Sequence, residues 1–221
     1  MSEPLPATTR RRLSGAARAE QLLDTAEALF AVRGYAETSI EDIARAAGIT
    51  RPIVYQRLGN KEAAYLAVVE RVRRDLEDRV VVAAAARTDP RAQLAAGVDA
   101  FLAYLEDQPQ RWTLLYGSST ITVGELGERL TDARFATVAM IRSLLAAHAE
   151  DGPAIEAFAH LVSGAVEQLG RWWRRHPEVP RAVLVEHALD LLWSGLAPHV
   201  RAAVPVESGG RDADGRGTLG P

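Results

Sequence analysis

Cysteine is absent from all 221 residues, which excludes disulfides, thiolate metal sites and a cysteine nucleophile together. That absence suits a reducing cytoplasm. No apolar run approaches the roughly 18 residues that read as a membrane span. The opening MSEPLPATTRRRLSG lacks the apolar core of a secretory signal. A soluble, cytoplasmic protein is expected. Sustained apolar–polar alternation is missing, and with it any half-buried strand; internal repeats and glycine-rich phosphate loops are missing too. The H-E-x-x-H, G-x-S-x-G and Walker lysine signatures do not occur. A carboxylate metal site in a helical bundle would need paired Glu-x-x-His motifs. Glu156 and His160 are one residue too far apart for that, and Glu186 and His187 are adjacent. No metal and no cofactor is called for.

What is present is helical. Alanine, leucine, arginine and glutamate dominate, with apolar residues at three- and four-residue spacing. The net charge of −3 argues against a general nucleic-acid binder, but its distribution is uneven. Of 26 cations and 29 anions, residues 1–61 hold nine and seven, net +2, leaving net −5 for the remainder. Only one end is suited to phosphate.

The spacing predicts a first helix over 18–33, with Leu22, Leu23, Ala26, Leu29 and Phe30 inward and Gly34 as its left-handed stop. A second, short helix starts after Thr38. Thr38 with Glu41 and Ser39 with Asp42 both have capping-box spacing. Gly48 breaks the chain, Thr50 caps a third helix ending near Leu58-Gly59, and Pro52 is tolerated in its first turn. Asn60 caps a fourth helix over 61–86. Asp89-Pro90 opens a fifth to about 106, and the short segment QRWTLLYG follows. Further helices are expected over 123–149, 153–176 and 181–202. The expected division is a flexible arm (1–14), a first compact unit (15–61), a larger helical body (62–203) and a disordered tail (204–221).

The stretch SIEDIARAAGITRPIVYQRLGNKEAAY, residues 39–65, carries the most information. Two short amphipathic helices meet at Ala47-Gly48-Ile49. Ala44 permits close approach, and Ile43, Ile49 and Val54 fill the angle between them. This is a helix-turn-helix, whose second helix enters the major groove. An ordinary helical hairpin has a similar pattern, but here Thr50, Arg51, Tyr55 and Gln56 project away from the core side. Arginine suits guanine, and glutamine suits adenine.

Residues 18–65 resemble the DNA-binding domain of the TetR family. The resemblance rests on Ala26 and Phe30, Gly34-Tyr35, Thr38-Ser39, Ile43-Ala44, Ala47-Gly48-Ile49, Tyr55 and Lys61-Glu62. It implies an all-α protein of about nine helices, with an N-terminal helix-turn-helix and a C-terminal ligand-binding and dimerisation domain. The implied function is a homodimeric transcriptional repressor released from double-stranded operator DNA by a small effector. Thr50, Arg51, Pro52, Tyr55 and Gln56 correspond to recognition-helix contacts. Thr38 or Ser39, Tyr55 and Lys61 correspond to phosphate clamps. Leu58 departs from the family's usual aromatic and Asn60 from its usual serine; both keep the core and the cap. The Arg10-Arg11-Arg12 run reads either as a solvated tail or as an arm that meets phosphate or the minor groove.

In the body, aromatic and polar residues mix at Phe101, Tyr104, Trp112, Tyr116, Phe135, Met140, His160, Gln168 and Trp172, the expected lining of a hydrophobic or amphipathic effector's pocket. An aromatic at helical spacing is more often core than pocket, so any one of these taken singly is expected in the core. Arg134 and Arg142 are expected at the surface. The last two helices are apolar over wide arcs, and Phe158, Val162, Leu169, Leu184, His187 and Leu191 are the expected dimer contacts. Two alternatives stay open: a regulator controlled by a protein partner, and a helical-bundle enzyme.

Overall fold

The structure, a computed structural model, describes residues 15–117, 124–149 and 152–200. The arm at 1–14 with Arg10–Arg12, and the tail at 204–221, lie outside the described residues. Nine α-helices are present among those described: α1 (Gly15–Arg33), α2 (Ile40–Ala46), α3 (Arg51–Leu58), α4 (Lys61–Ala85), α5 (Pro90–Asp107), α6 (Pro109–Tyr116), α7 (Glu125–Ala146), α8 (Pro153–Trp173) and α9 (Arg181–Leu196). No described helix is long and apolar enough to cross a membrane.

The helix ends follow local chemistry. The Gly34 N–H donates to the Phe30 carbonyl at 2.9 Å, and its φ of +76° ends α1 in the left-handed region. Asn60 Oδ1 accepts from the Ala63 N–H at 2.8 Å, and Asp89 Oδ2 accepts from the Ala92 N–H at 2.8 Å, capping α4 and α5. QRWTLLYG lies within and just beyond α6, a helix in its own right. The final helix is shorter than its apolar pattern suggests. Pro198 lacks an N–H, and the chain leaves α9 through a 3₁₀ turn at Ala197–His199.

α1 and α3 pack on α4, and α2 packs on α1 and α3. Leu22, Ala26, Phe30, Ile43, Val54, Tyr65 and Val68 form their shared core. Phe30 meets Tyr65 edge-on at 5.1 Å between ring centroids, and Tyr35 lies 5.0 Å from Tyr65. The core continues without a break into the body, where α4 packs on α5 and α7, α5 on α9, and α7 on α8. α6 touches both halves: it packs on α4 and α5 and also directly on α1.

Candidate DNA-reading head and effector cavity

The angle between α2 and α3 is set by a few contacts. Ile43 and Val54 are fully buried, and the Ile49 N–H donates to the Ala44 carbonyl at 3.0 Å. Gly48 has φ +64°, the left-handed conformation that lets the chain reverse there. Ser39, not Thr38, caps α2. The Asp42 N–H donates to Ser39 Oγ, and the Ser39 N–H donates to Asp42 Oδ2, each at 3.1 Å. A third bond, from the Ser39 hydroxyl to Asp42 Oδ2 at 2.5 Å, acts with the Ser39 N–H to hold the Asp42 carboxyl below the usual aspartate range. Thr38 is turned inward, 1% exposed, with its hydroxyl donating to the Gly34 carbonyl at 2.8 Å.

The outer face of α3 is open. Thr50, Arg51, Pro52, Tyr55 and Gln56 are all exposed. Thr50 occupies the cap position with extended backbone, yet its side chain makes no capping bond. Arg51 Nη2 rests 2.6 Å from Glu41 Oε1, an ion pair between α2 and α3. Lys61 Nζ donates to the Ala36 carbonyl at 2.9 Å and sits 4.5 Å from the centre of the Tyr35 ring. It therefore ties the start of α4 to the loop after α1 while remaining partly exposed.

The body holds a narrow cavity of about 100 Å³ between α4, α5, α7, α8 and α9. Its wall is mostly aliphatic and aromatic, including Leu76, Val98, Phe101, Met140, Leu144 and Val162. Polar groups stand at two places. Thr137 Oγ1 donates to Glu77 Oε1 at 2.7 Å, and His148 Nε2 lies 2.7 Å from Gln93 Oε1. A wider cavity of about 420 Å³ adjoins it and carries three guanidiniums, Arg73, Arg134 and Arg171, with Glu167 and Gln168. Arg73 binds Glu70 at 2.7 Å and also Glu77, and Arg171 binds Glu167 at 2.8 Å. Tyr116 and Thr137 belong to both cavities. Burial pushes the Tyr116 phenol far above its ordinary range, so it stays a neutral hydroxyl.

Comparison with known proteins places these parts in a family. A profile described as bacterial regulatory proteins, tetR family, matches residues 22–68. Another, described as tetracyclin repressor-like, C-terminal domain, matches residues 90–195. The HTH-type transcriptional activator FasR of Mycolicibacterium smegmatis is 30% identical over 205 residues, 88% of this chain and 91% of that protein. The chain belongs to the TetR family. It is a DNA-binding transcriptional regulator and not an enzyme. The regulator EthR of Mycobacterium tuberculosis is 35% identical over 92 residues, 41% of this chain and 43% of its own. Among solved structures, a TetR-like regulator from Rhodococcus sp. RHA1 superposes with a TM-score of 0.65 at 26% identity, covering 84% of this chain and 99% of that one. FadR from Bacillus subtilis, in complex with stearoyl-CoA, shares the fold at 16% identity with a TM-score of 0.67, covering 80% and 98%.

Against this TetR framework the residues expected from sequence separate. Phe101, Tyr116 and Met140 line the narrow cavity, and Gln168 lines the wide one. Phe135 and His160 face a third recess of about 230 Å³ between α7 and α8, with their rings 6.0 Å apart. Tyr104 and Trp112 are core and not cavity wall. The Tyr104 hydroxyl points at the Val72 carbonyl at 3.5 Å, and burial raises its pKa to about 12. Trp112 is 1% exposed, with the Arg174 guanidinium 5.3 Å from its ring. Trp172 is on the outside, stacked on His176 at 4.1 Å. Of the expected dimer contacts, Val162 and Leu184 are buried within the chain itself, Phe158 and Leu169 are half-buried, and His187 and Leu191 are exposed. Leu161 of α8, at 62% exposure, is a further open apolar position. Sequence reasoning missed Arg73, Gln93, Leu144 and His148 in the cavity walls, and it put Arg134 on the surface with no role. Arg134 is indeed exposed, but it stands at the rim of the wide cavity.

Proposed function

We propose that this TetR-family regulator works as a two-fold dimer, joined through α8 and α9, whose hold on operator DNA is set by an amphipathic effector. The two α3 helices would enter successive major grooves. Arg51 and Gln56 suit base edges, while Ser39, Tyr55 and Lys61 suit phosphates. Such a regulator acts in the cytoplasm, where bacterial DNA lies.

One observation carries the effector reading. An aliphatic cavity in α4, α5, α7 and α8 adjoins, across Tyr116 and Thr137, a wider one bearing three guanidiniums. An apolar chain with an anionic head matches that pairing, the head competing with Glu70 for Arg73 and with Glu167 for Arg171. The aliphatic part is small enough that a ligand of any length must push its helices apart. A ligand that binds only the widened state shifts the protein toward it. α4 lines the cavity with Leu76, Val80 and Ala84 and carries the reading head on its first half, so widening pivots the heads. The coupling expected of such a device is about 1–3 kcal/mol.

Repression relieved by ligand is the direction proposed. A second reading, activation, is favoured by one finding: the relative FasR is named an activator. Measuring binding of an upstream DNA fragment with and without saturating stearoyl-CoA tests the effector reading. A loss of affinity of about 5- to 150-fold is expected. Unchanged affinity with this and shorter acyl probes would hand control to a protein partner. Transcription in vitro from the same fragment separates repression from activation.

A further inference from the structure

Glu27, on α1 of the reading head, is faced by two arginines of other helices. Arg111 of α6 donates from Nε to Oε1 at 2.6 Å and from Nη2 to Oε2 at 3.3 Å. Arg71 of α4 donates to Oε2 from the other side. The remaining arm of Arg111, Nη1, donates to Asp75 Oδ2 on α4 at 2.6 Å. One guanidinium therefore joins α6, α1 and α4. Arg71 meets Asp24, one turn before Glu27, at 2.6 Å. The central pair is largely shielded, with 14% of the Glu27 side chain and 23% of that of Arg111 exposed. A two-point guanidinium–carboxylate contact out of full solvent fixes direction as well as distance, unlike a loose surface pair.

The other end of the same helix is the cavity wall. α6 has eight residues, and Tyr116 lies five residues beyond Arg111, about 7.5 Å along the axis at 1.5 Å per residue. Tyr116 borders all three recesses of the body. Its ring is 5.0 Å from Trp112, the fully buried neighbour of Arg111, and 5.8 Å from Phe101. A helix this short, pinned at Tyr116 by packing and at Arg111 by charge, moves as one piece.

We infer that Arg111 is a coupling residue: α6 carries displacement of the Tyr116 wall directly to α1 through the Arg111–Glu27 pair, a route separate from the pivot of α4. This rests on the effector reading above, and the two are separable by experiment. If Arg111 only held helices together, an apolar contact would serve equally, and its loss would lower stability without altering how the cavity speaks to the DNA.

The test needs no known ligand. Ser163, on α8, lines both the narrow cavity and the third recess beside Tyr116, so Ser163→Phe fills space as an effector would. Met140→Trp is a second filler from α7, used if the first shows no cooperative thermal unfolding. Each is made in the full chain with Arg111 intact and with Arg111→Gln, which leaves Glu27 its Arg71 partner. Binding to the upstream fragment is measured for all. The expected result is a loss of about tenfold or more from a filler when Arg111 is present, within the usual range of allosteric coupling. That loss shrinks to less than about twofold in Arg111→Gln and is partly restored by Arg111→Lys. An equal loss with and without Arg111 overturns the coupling role and leaves the effector reading standing. No loss from either folded filler in the Arg111 chain overturns the effector reading, and the coupling role with it.

Discussion

Replacing Gly48 by alanine isolates what holds the angle of the reading head. The residue has φ +64°, and a Cβ built on it meets nothing within 4 Å. Contact with the rest of the molecule therefore contributes nothing, and the whole cost is the local crowding of Cβ against its own backbone in the left-handed region, about 1–2 kcal/mol. Alanine also lowers the entropy of the unfolded chain, which returns about 0.4–1 kcal/mol. The net loss is about 1 kcal/mol, or about 2–4 °C in Tm for a chain of this size. Asparagine tolerates the same backbone region, so Gly48→Asn is expected to lose about half as much. Thermal unfolding followed by circular dichroism, at equal protein concentration because a dimer's Tm depends on it, gives the comparison. If asparagine costs as much as alanine, or if neither lowers the Tm, the left-handed turn is not what that glycine supplies.

Leu191→Arg combined with Leu161→Arg places charge on two exposed apolar positions of α9 and α8; sedimentation should show the dimer dissociating while the helical spectrum is kept. A dimer that survives would move the interface elsewhere. Asp42 has its folded pKa lowered by the Ser39 bonds, so its stabilising effect is full above the ordinary aspartate value near 3.8 and is lost as pH falls through the lower folded value. Acid unfolding of Asp42→Asn should therefore be less steep in that window than that of the native chain. Arg51→Ala is expected to cost about 1–3 kcal/mol at one base position of the operator and little elsewhere, since a bidentate base contact discriminates by that amount. A scan of operator variants reads it, and a uniform loss across all sequences would make Arg51 a phosphate contact instead.

The reading head was legible because its signals are local. Gly34, Gly48, Pro52 and Asn60 each act within four residues of themselves, and their consequences appear where the pattern puts them. The one ambiguity there, Thr38 or Ser39 as the cap, had identical spacing on both sides. It is decided by the buried contact of Thr38 with the Gly34 carbonyl, which frees Ser39 for Asp42. The body was legible as helices but not as a cavity. Phe101 and Tyr104 are neighbours on α5, and Trp112 and Tyr116 are neighbours on α6, yet one of each pair lines the cavity and the other fills core. Which is which depends on how α5 and α6 rotate against α4, a property no single helix carries. Glu27 and Arg111 stand 84 positions apart in the chain, and His148 and Gln93 stand 55 apart, so no spacing rule joins them.

The most direct test is binding of a DNA fragment from the gene's own upstream region, compared between the native chain and a Tyr55→Ala, Lys61→Ala double variant across a salt series. Tyr55 is exposed on α3, and Lys61 anchors the start of α4 to the Ala36 carbonyl. Tight, salt-sensitive binding is expected of the native chain. In the variant a large loss of affinity is expected, with a salt slope shallower by about 0.9 for the one phosphate charge that Lys61 neutralises. Equal affinity and equal slope in a variant that unfolds as cooperatively as the native chain would contradict the assignment of α3 as the DNA-reading helix.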